Sequence, residues 1–149
     1  MERLGWDDYF MGIADNVARR SACLARQVGT VLVDSKNILI STGYNGPPRG
    51  FPHCTVCARE KTKIAGQSLY ECHTIHAEMN ALLQCTDLNR VYKAYCTTSP
   101  CLVCVRLLAN TECRVIVYDK VYDDLEKVIK FWETIPGRTI LPYYKEPSQ

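Results

Sequence analysis

Two short stretches, His76-Ala77-Glu78 and Pro100-Cys101-Leu102-Val103-Cys104, decide how this chain is read. In the second, two cysteines at i and i+3 open a helix and so turn their sulfurs to one side. Proline is favoured in a first turn, so Pro100 marks the start of that helix, which is expected to run to about Asn110. The partial positive charge of a helix N-terminus favours thiolates there before any metal arrives. Zinc takes such sulfurs together with an imidazole nitrogen. His76, opening a helix expected to run to about Cys85, is the natural third ligand. Three protein ligands leave the fourth position to water, which separates a catalytic zinc site from a closed structural one. Glu78 stands in the first turn of the His76 helix, where it reaches that water without occupying the metal, as a general acid/base must. The competing reading is a purely structural zinc site in which Glu78 is a solvated helix residue.

Outward from these stretches, short apolar runs alternate with helical patterns. Val91 to Thr97 and Val115 to Tyr118 read as strands, and Asp123 to Thr134 as an amphipathic helix with Leu125, Val128, Ile129 and Trp132 inward. Thr139 to Leu141 is an expected edge strand, and the tail from Pro142 is expected to be loosely held. On the His76 helix, Met79, Leu82 and Leu83 mark the apolar side. Upstream, Phe10, Ile13, Ala14, Val17 and Ala18 recur at helical spacing, giving a helix from Trp6 to about Leu24 with Asp7 or Asp8 near its start. Val28 to Val33 and Ile38 to Thr42 follow as strands around the turn Asp34 to Asn37. Three glycines and two prolines make Gly43 to Gly50 a loop. The second half thus predicts parallel strands with helices on both faces, in a single α/β domain over residues 1–149.

Bulk properties agree with one soluble domain. The chain has 149 residues, 47% hydrophobic and 23% charged, with a formal charge of +2 from 18 basic and 16 acidic side chains. That excess is too small to point to a nucleic-acid polymer as partner. Nine cysteines are many. No signal-peptide pattern and no apolar run long enough to span a membrane accompany them, so the expectation is a cytoplasmic chain whose cysteines bind metal. Cys85, Cys96 and Cys113 fall in or beside regular elements and read as small buried hydrophobes. Tyr118 and Tyr122 follow a strand and either stack on a base or pack at the core edge.

The joint pattern of histidine-x-glutamate and proline-Cys-x-x-Cys resembles the signature of zinc-dependent base deaminases. More narrowly, the chain resembles deoxycytidylate (dCMP) deaminases over nearly its whole length. The matching blocks are Trp6 to Met11, Gln27-Val28-Gly29, Thr42-Gly43-Tyr44-Asn45-Gly46, His76 to Ala81 and Thr97 to Cys101. The resemblance implies a three-layer α/β/α sandwich, cytidine-deaminase-like, with a central five-stranded mixed sheet. It implies hydrolysis of dCMP to dUMP and ammonia, with Glu78 moving protons, and it implies a homo-oligomer, often a hexamer. Activation by dCTP and inhibition by dTTP go with it, at a regulatory site around Gly43, Tyr44, Asn45 and Gly46, with Mg2+ as a candidate companion of the triphosphate. A tRNA adenosine deaminase would share the whole zinc motif, and a non-catalytic zinc-binding protein is the reading from another class.

The residues themselves add candidates. Glycine-rich turns expose N–H groups to an anion. Asn45 offers a donor and an acceptor to a sugar hydroxyl, and Arg26 and Arg49 flank the loop and suit phosphate oxygens. Cys54 and Cys57 form a further C-x-x-C within the irregular stretch 51–74, where few apolar residues are present to pack. Some dCMP deaminases carry a second, structural zinc with ligands at the positions of Cys23 and Cys54, giving the set Cys23, Cys54, Cys57 and Cys72, with His73 or His53 as alternatives to the last two.

Overall fold

The computed structural model describes residues 1–58, 72–122 and 124–147. β1 (Gly29–Val33) is buried along its whole length, and that places it inside the sheet with both faces covered. It pairs antiparallel with β2 (Leu39–Tyr44) on one side and antiparallel with β3 (Lys93–Thr98) on the other. β3, β4 (Val115–Lys120) and β5 (Thr139–Pro142) then run parallel, giving a five-stranded mixed sheet in the order β2-β1-β3-β4-β5. The β1–β2 turn has local causes. Asn37 takes the left-handed φ of 59°, and the Asp34 carboxylate accepts from the N–H groups of Lys36 and Ile38, both at 2.9 Å.

Alternation along each strand sorts the core into two layers. On one face Phe10, Met11 and Ala14 of α1 (Trp6–Ala18) pack on Val31, Val33, Tyr95 and Val117. On the other, α2 (Ala77–Gln84), α3 (Leu102–Ala109) and α4 (Leu125–Thr134) bring Ala81, Val105, Leu108, Val128 and Trp132 against Leu32, Ala94, Ile116 and Ile140. The three-layer sandwich and its five-stranded mixed sheet are thus as expected. The expectation of second-half helices on both faces is corrected: all three share one face, and α1 alone covers the other. Cys96 and Cys113 are fully buried, as small hydrophobes. All nine cysteines are free thiols.

Several local expectations change. α1 stops at Ala18, well short of Leu24, because the chain turns there and Ser21, buried, donates its hydroxyl to the Asn45 carbonyl at 2.7 Å. On α2 the fully buried apolar residues are Ala77 and Ala81; Leu82 packs against the core as expected, whereas Leu83 is 75% exposed. The tail beyond Pro142 is tied down: Tyr143 donates its N–H to the Tyr118 carbonyl and its hydroxyl to the Asp8 carboxylate. Gly43 and Tyr44 belong to β2, so the loop begins at Asn45.

Gly43 has a packing reason to be glycine. A Cβ there would lie 2.3 Å from both the Ala77 carbonyl oxygen and the Ala81 nitrogen, so its absence lets α2 lie directly on β2. Gly29 does the same for α1, where a Cβ would meet the Ala14 carbonyl oxygen at 2.1 Å. Neither neighbour is a flexible side-chain tip, so backbone would have to move. Gly43→Ala is therefore expected to cost about 1–3 kcal/mol of stability in urea unfolding. Gly46→Ala, where a Cβ meets nothing within 4 Å, is expected to stay within about 0.5 kcal/mol of the parent. Equal stability of the two variants would refute this account of the β2–α2 contact.

Candidate active site

β3 passes into α3 through Ser99-Pro100-Cys101, at the carboxyl end of the parallel strands where α/β sheets place ligands. Ser99 fixes that crossing. Its N–H donates to the Lys120 carbonyl at 2.8 Å, and its hydroxyl accepts from the Tyr122 N–H at 2.7 Å. Cys101 is the N-cap of α3, and Cys104 lies in its first turn. His76 is the N-cap of α2. Neither side chain is spent on capping its own helix, so both face the point where the two positive helix ends meet.

His76 Nδ1 lies 3.3 Å from Cys104 Sγ and 3.5 Å from Cys101 Sγ, and the three ligand atoms all fall within 4.8 Å of one another. A tetrahedral zinc with ordinary Zn–N and Zn–S bonds needs N···S edges of about 3.6 Å. The donor set, one imidazole and two thiols, is also the softness zinc prefers. The residues present therefore fit the ion.

The protonation pattern points the same way. The Cys101 thiol is pulled down to about 4, chiefly because the Cys104 thiol donates to it, with His76 adding a second hydrogen bond. Cys104 is pushed up by that same contact and by burial. The two sulfurs thus share a proton that a bound cation would displace. His76 is raised, first by its hydrogen bond to Cys101. Glu78 is 4% exposed, reaches Cys104, and has its carboxyl raised above the ordinary carboxylate range by burial, against the opposing pull of His76. A buried carboxyl that holds a proton readily is suited to proton transfer near neutral pH.

These groups open on one pocket, lined also by Val28, Asn45, Thr98, Ser99 and Tyr122. Cys23, Cys54, Cys57, Cys72 and Arg26 line it too, so the structure gathers most of the expected site residues in one place. Asn45 is buried, and its side chain is already employed: Oδ1 accepts from the Val28 N–H at 2.8 Å, and Nδ2 donates to the Arg26 carbonyl at 3.0 Å. One amide N–H is left over for a ligand. Arg26 rests its guanidinium on the Tyr122 ring, 4.4 Å from the centroid.

Gly43, Tyr44, Gly46 and Arg49 do not line this pocket. The Tyr44 carbonyl accepts from Asn80, Gly46 bridges to Ile75, and Arg49 is exposed. His53 and His73 are exposed as well, and His73 packs its ring on Phe51. Among the described residues, the one His/Cys/Asp/Glu group close enough to share a metal is His76, Cys101 and Cys104. Thr98 and Ser99 line the pocket without having been singled out from the sequence, where their signal was position at the carboxyl end of β3; Tyr122, offered as stacking on a base or packing at the core edge, lines it too.

A His-Cys-Cys zinc site with a buried glutamate beside it is the site of a metal-dependent hydrolytic enzyme. Residues 4–120 match the family described as the cytidine and deoxycytidylate deaminase zinc-binding region. A deoxycytidylate deaminase of Mycobacterium phage D29 is 39% identical over 127 residues, covering 80% of this chain and 98% of the phage protein. A deoxycytidylate deaminase of Schizosaccharomyces pombe is 41% identical over 127 residues, covering 81% of this chain but 39% of the yeast protein. The crystal structure of dCMP deaminase from the cyanophage S-TIM5 in complex with dCMP and dUMP shares the fold, with a TM-score of 0.76 at 22% identity, covering 96% of this chain and 100% of that one. The chain belongs to the cytidine and deoxycytidylate deaminase family.

The geometry separates holding the metal from using it. Glu78→Gln is expected to retain metal at the His76 site by elemental analysis while turnover falls by at least about 10²–10⁴. Cys104→Ala is expected to lose both. A Glu78→Gln protein with full activity would remove Glu78 from the reaction.

Proposed function

We propose that this chain hydrolyses dCMP to dUMP and ammonia. The observation that carries the reading is the buried Glu78 carboxyl beside His76, Cys101 and Cys104, in a chain whose phage relative of nearly equal span is a deoxycytidylate deaminase. Zinc, held by those three residues, supplies the Lewis acid that makes a water acidic near neutral pH. Glu78 accepts one proton from the attacking water and delivers it to N3 of the cytosine ring, which makes C4 electrophilic. It then carries the water's second proton to the amino nitrogen on C4. The C–N bond breaks, ammonia leaves, and C4 keeps the water oxygen as the carbonyl of dUMP. The raised proton affinity of Glu78 suits both transfers. Asn45, with its amide pinned by Val28 and Arg26, directs its remaining N–H to the sugar, and Arg26 takes part in binding the nucleotide.

Further parts of the reading rest on separate observations. Cys23, Cys54, Cys57 and Cys72 line the same pocket without forming a metal-sized group, and a second, structural zinc would draw them together and brace the 51–74 stretch, of which residues 59–71 lie outside the described residues. Gly43, Tyr44, Gly46 and Arg49 do not line the zinc pocket, which leaves them to the regulatory nucleotides dCTP and dTTP, with Asn45 between the two sites and Mg2+ accompanying a triphosphate. Self-association, as far as a hexamer, would cover Leu83, Val103 and Leu107, which are exposed on the neighbouring helices α2 and α3. Nine free cysteines suit the reducing cytoplasm. No helix among the described residues is long and apolar enough to cross a membrane.

Ammonia release from purified protein offered dCMP, deoxycytidine and single-stranded DNA tests the substrate. Turnover of dCMP that rises with dCTP is expected; turnover of DNA in preference to dCMP would overturn the reading. For the second metal, the expectation is two zinc ions per chain, falling to one in Cys54→Ala with loss of thermal stability. A single zinc in the parent protein would refute the second site.

A further inference from the structure

A second cleft adjoins the zinc pocket and shares two residues with it, Arg26 and Thr98. Arg19, Gln27, Lys120 and Asp15 also line it. We propose that Arg19, Arg26 and Lys120 form a cationic annex that takes the 5′-phosphate of the substrate, and that this annex makes the pocket a nucleotide site rather than a nucleoside site. The proposal rests on the reading of dCMP as substrate and deepens it.

Three observations support the annex. The first is placement. Lys120 is the last residue of β4 and stands opposite Thr98 of β3 in the parallel register. Its carbonyl holds the Ser99 N–H, so the strand end that carries Lys120 is bonded to the wall of the zinc pocket. Arg19 is the C-cap of α1, where the chain turns toward that wall. Arg26 sits on the return segment, which Gln27 pins by donating its side-chain amide to the Ser21 carbonyl at 2.8 Å, and which Asn45 pins from the other side.

The second is charge. Three cations meet a single carboxylate in the cleft, Asp15. The Asp15 carboxyl is raised above its ordinary value by burial and by the nearby Asp119, against the opposing pull of Lys120 and Lys145. Among the described residues, none of Arg19, Arg26 and Lys120 forms an ion pair within 4.0 Å. Three cations beside one carboxylate leave a net positive charge in the cleft, and a dianion offsets it. The third is order. Stacking on Tyr122 restricts Arg26, so less freedom is lost when its planar fork meets phosphate oxygens. Arg49, by contrast, lines neither cleft.

The test compares substrates that differ by the phosphate alone. Arg19, Arg26 and Lys120 are exposed, so their replacement leaves the fold intact, and unfolding curves check this. Lys120→Gln, Arg26→Gln and Arg19→Gln are each expected to raise KM for dCMP about tenfold or more, the worth of one charged hydrogen bond. The kcat at saturation should change far less. The dCMP-to-deoxycytidine ratio of kcat/KM should fall in each variant. Calorimetry in a Glu78→Gln background should show weaker dUMP binding and unaltered deoxyuridine binding. Unchanged dCMP selectivity in all three variants would overturn the annex, as would loss of selectivity in Arg49→Gln instead. Should the parent protein fail to deaminate dCMP while dUMP binding still depends on these three cations, the substrate reading falls and the annex stands.

Discussion

Three donor atoms, His76 Nδ1 and the sulfurs of Cys101 and Cys104, come within 4.8 Å of one another because α2 and α3 begin at the same place. That coincidence constrains the rest of the molecule. The two helices leave different parts of the sheet: α3 follows β3, while α2 lies on β2, two strands away in the order β2-β1-β3. Close contact of α2 with β2 requires Gly43, and a fully buried β1 must sit between. The positive ends of both helices then point at the sulfurs, where thiolate charge has to be stabilised. The folding pattern and the electrostatics of the site are set by the same two residues, the N-caps His76 and Cys101.

Burial gives Glu78 its chemistry at a cost to stability. An ionised carboxylate removed from water is unfavourable unless it is paired or protonated. Burial raises its proton affinity most and the Cys101 sulfur adds to that, while His76 and the hydrogen bond from Cys104 pull it down, so the group stays above the ordinary carboxylate range. Loading the cation relieves the shared proton of the sulfurs and adds positive charge beside the carboxyl. Metal binding and stability of the site are therefore linked.

What could be read from the sequence divides along a physical line. Ligand spacing within one helical turn is local, and so His76, Glu78, Cys101 and Cys104 were legible from residue order alone. Central strands were legible from unbroken apolar runs. Tertiary decisions were not. Gly43 looked like a loop glycine, and its need for a bare Cα arises from α2, whose N-terminus is over thirty residues further on. Leu83 looked like core because α2 is short and its buried side is made of small residues, Ala77 and Ala81, which carry little pattern signal. Tyr143 looked like part of a free tail because its anchor, Asp8, stands at the opposite end of the chain. The four cysteines proposed for a second metal line one pocket but do not form a metal-sized group, and no spacing rule gives their mutual distances.

The reversal between α1 and β1 shows how one segment couples these parts. Ser21 donates to the Asn45 carbonyl, Asn45 returns two side-chain bonds to Val28 and Arg26, and Gln27 bonds back to Ser21. The network closes on itself, so its bonds reinforce one another more than isolated pairs would. It carries Cys23 and Arg26, two of the pocket's lining residues, and it joins directly to β1, the strand on which both layers of the core rest. Position of these pocket-lining side chains is thereby fixed by a fully buried strand, although Arg26 is exposed and Cys23 partly so. A backbone pinned in this way holds the pocket wall in place, and this is why Asn45, polar and buried, occupies the start of the loop.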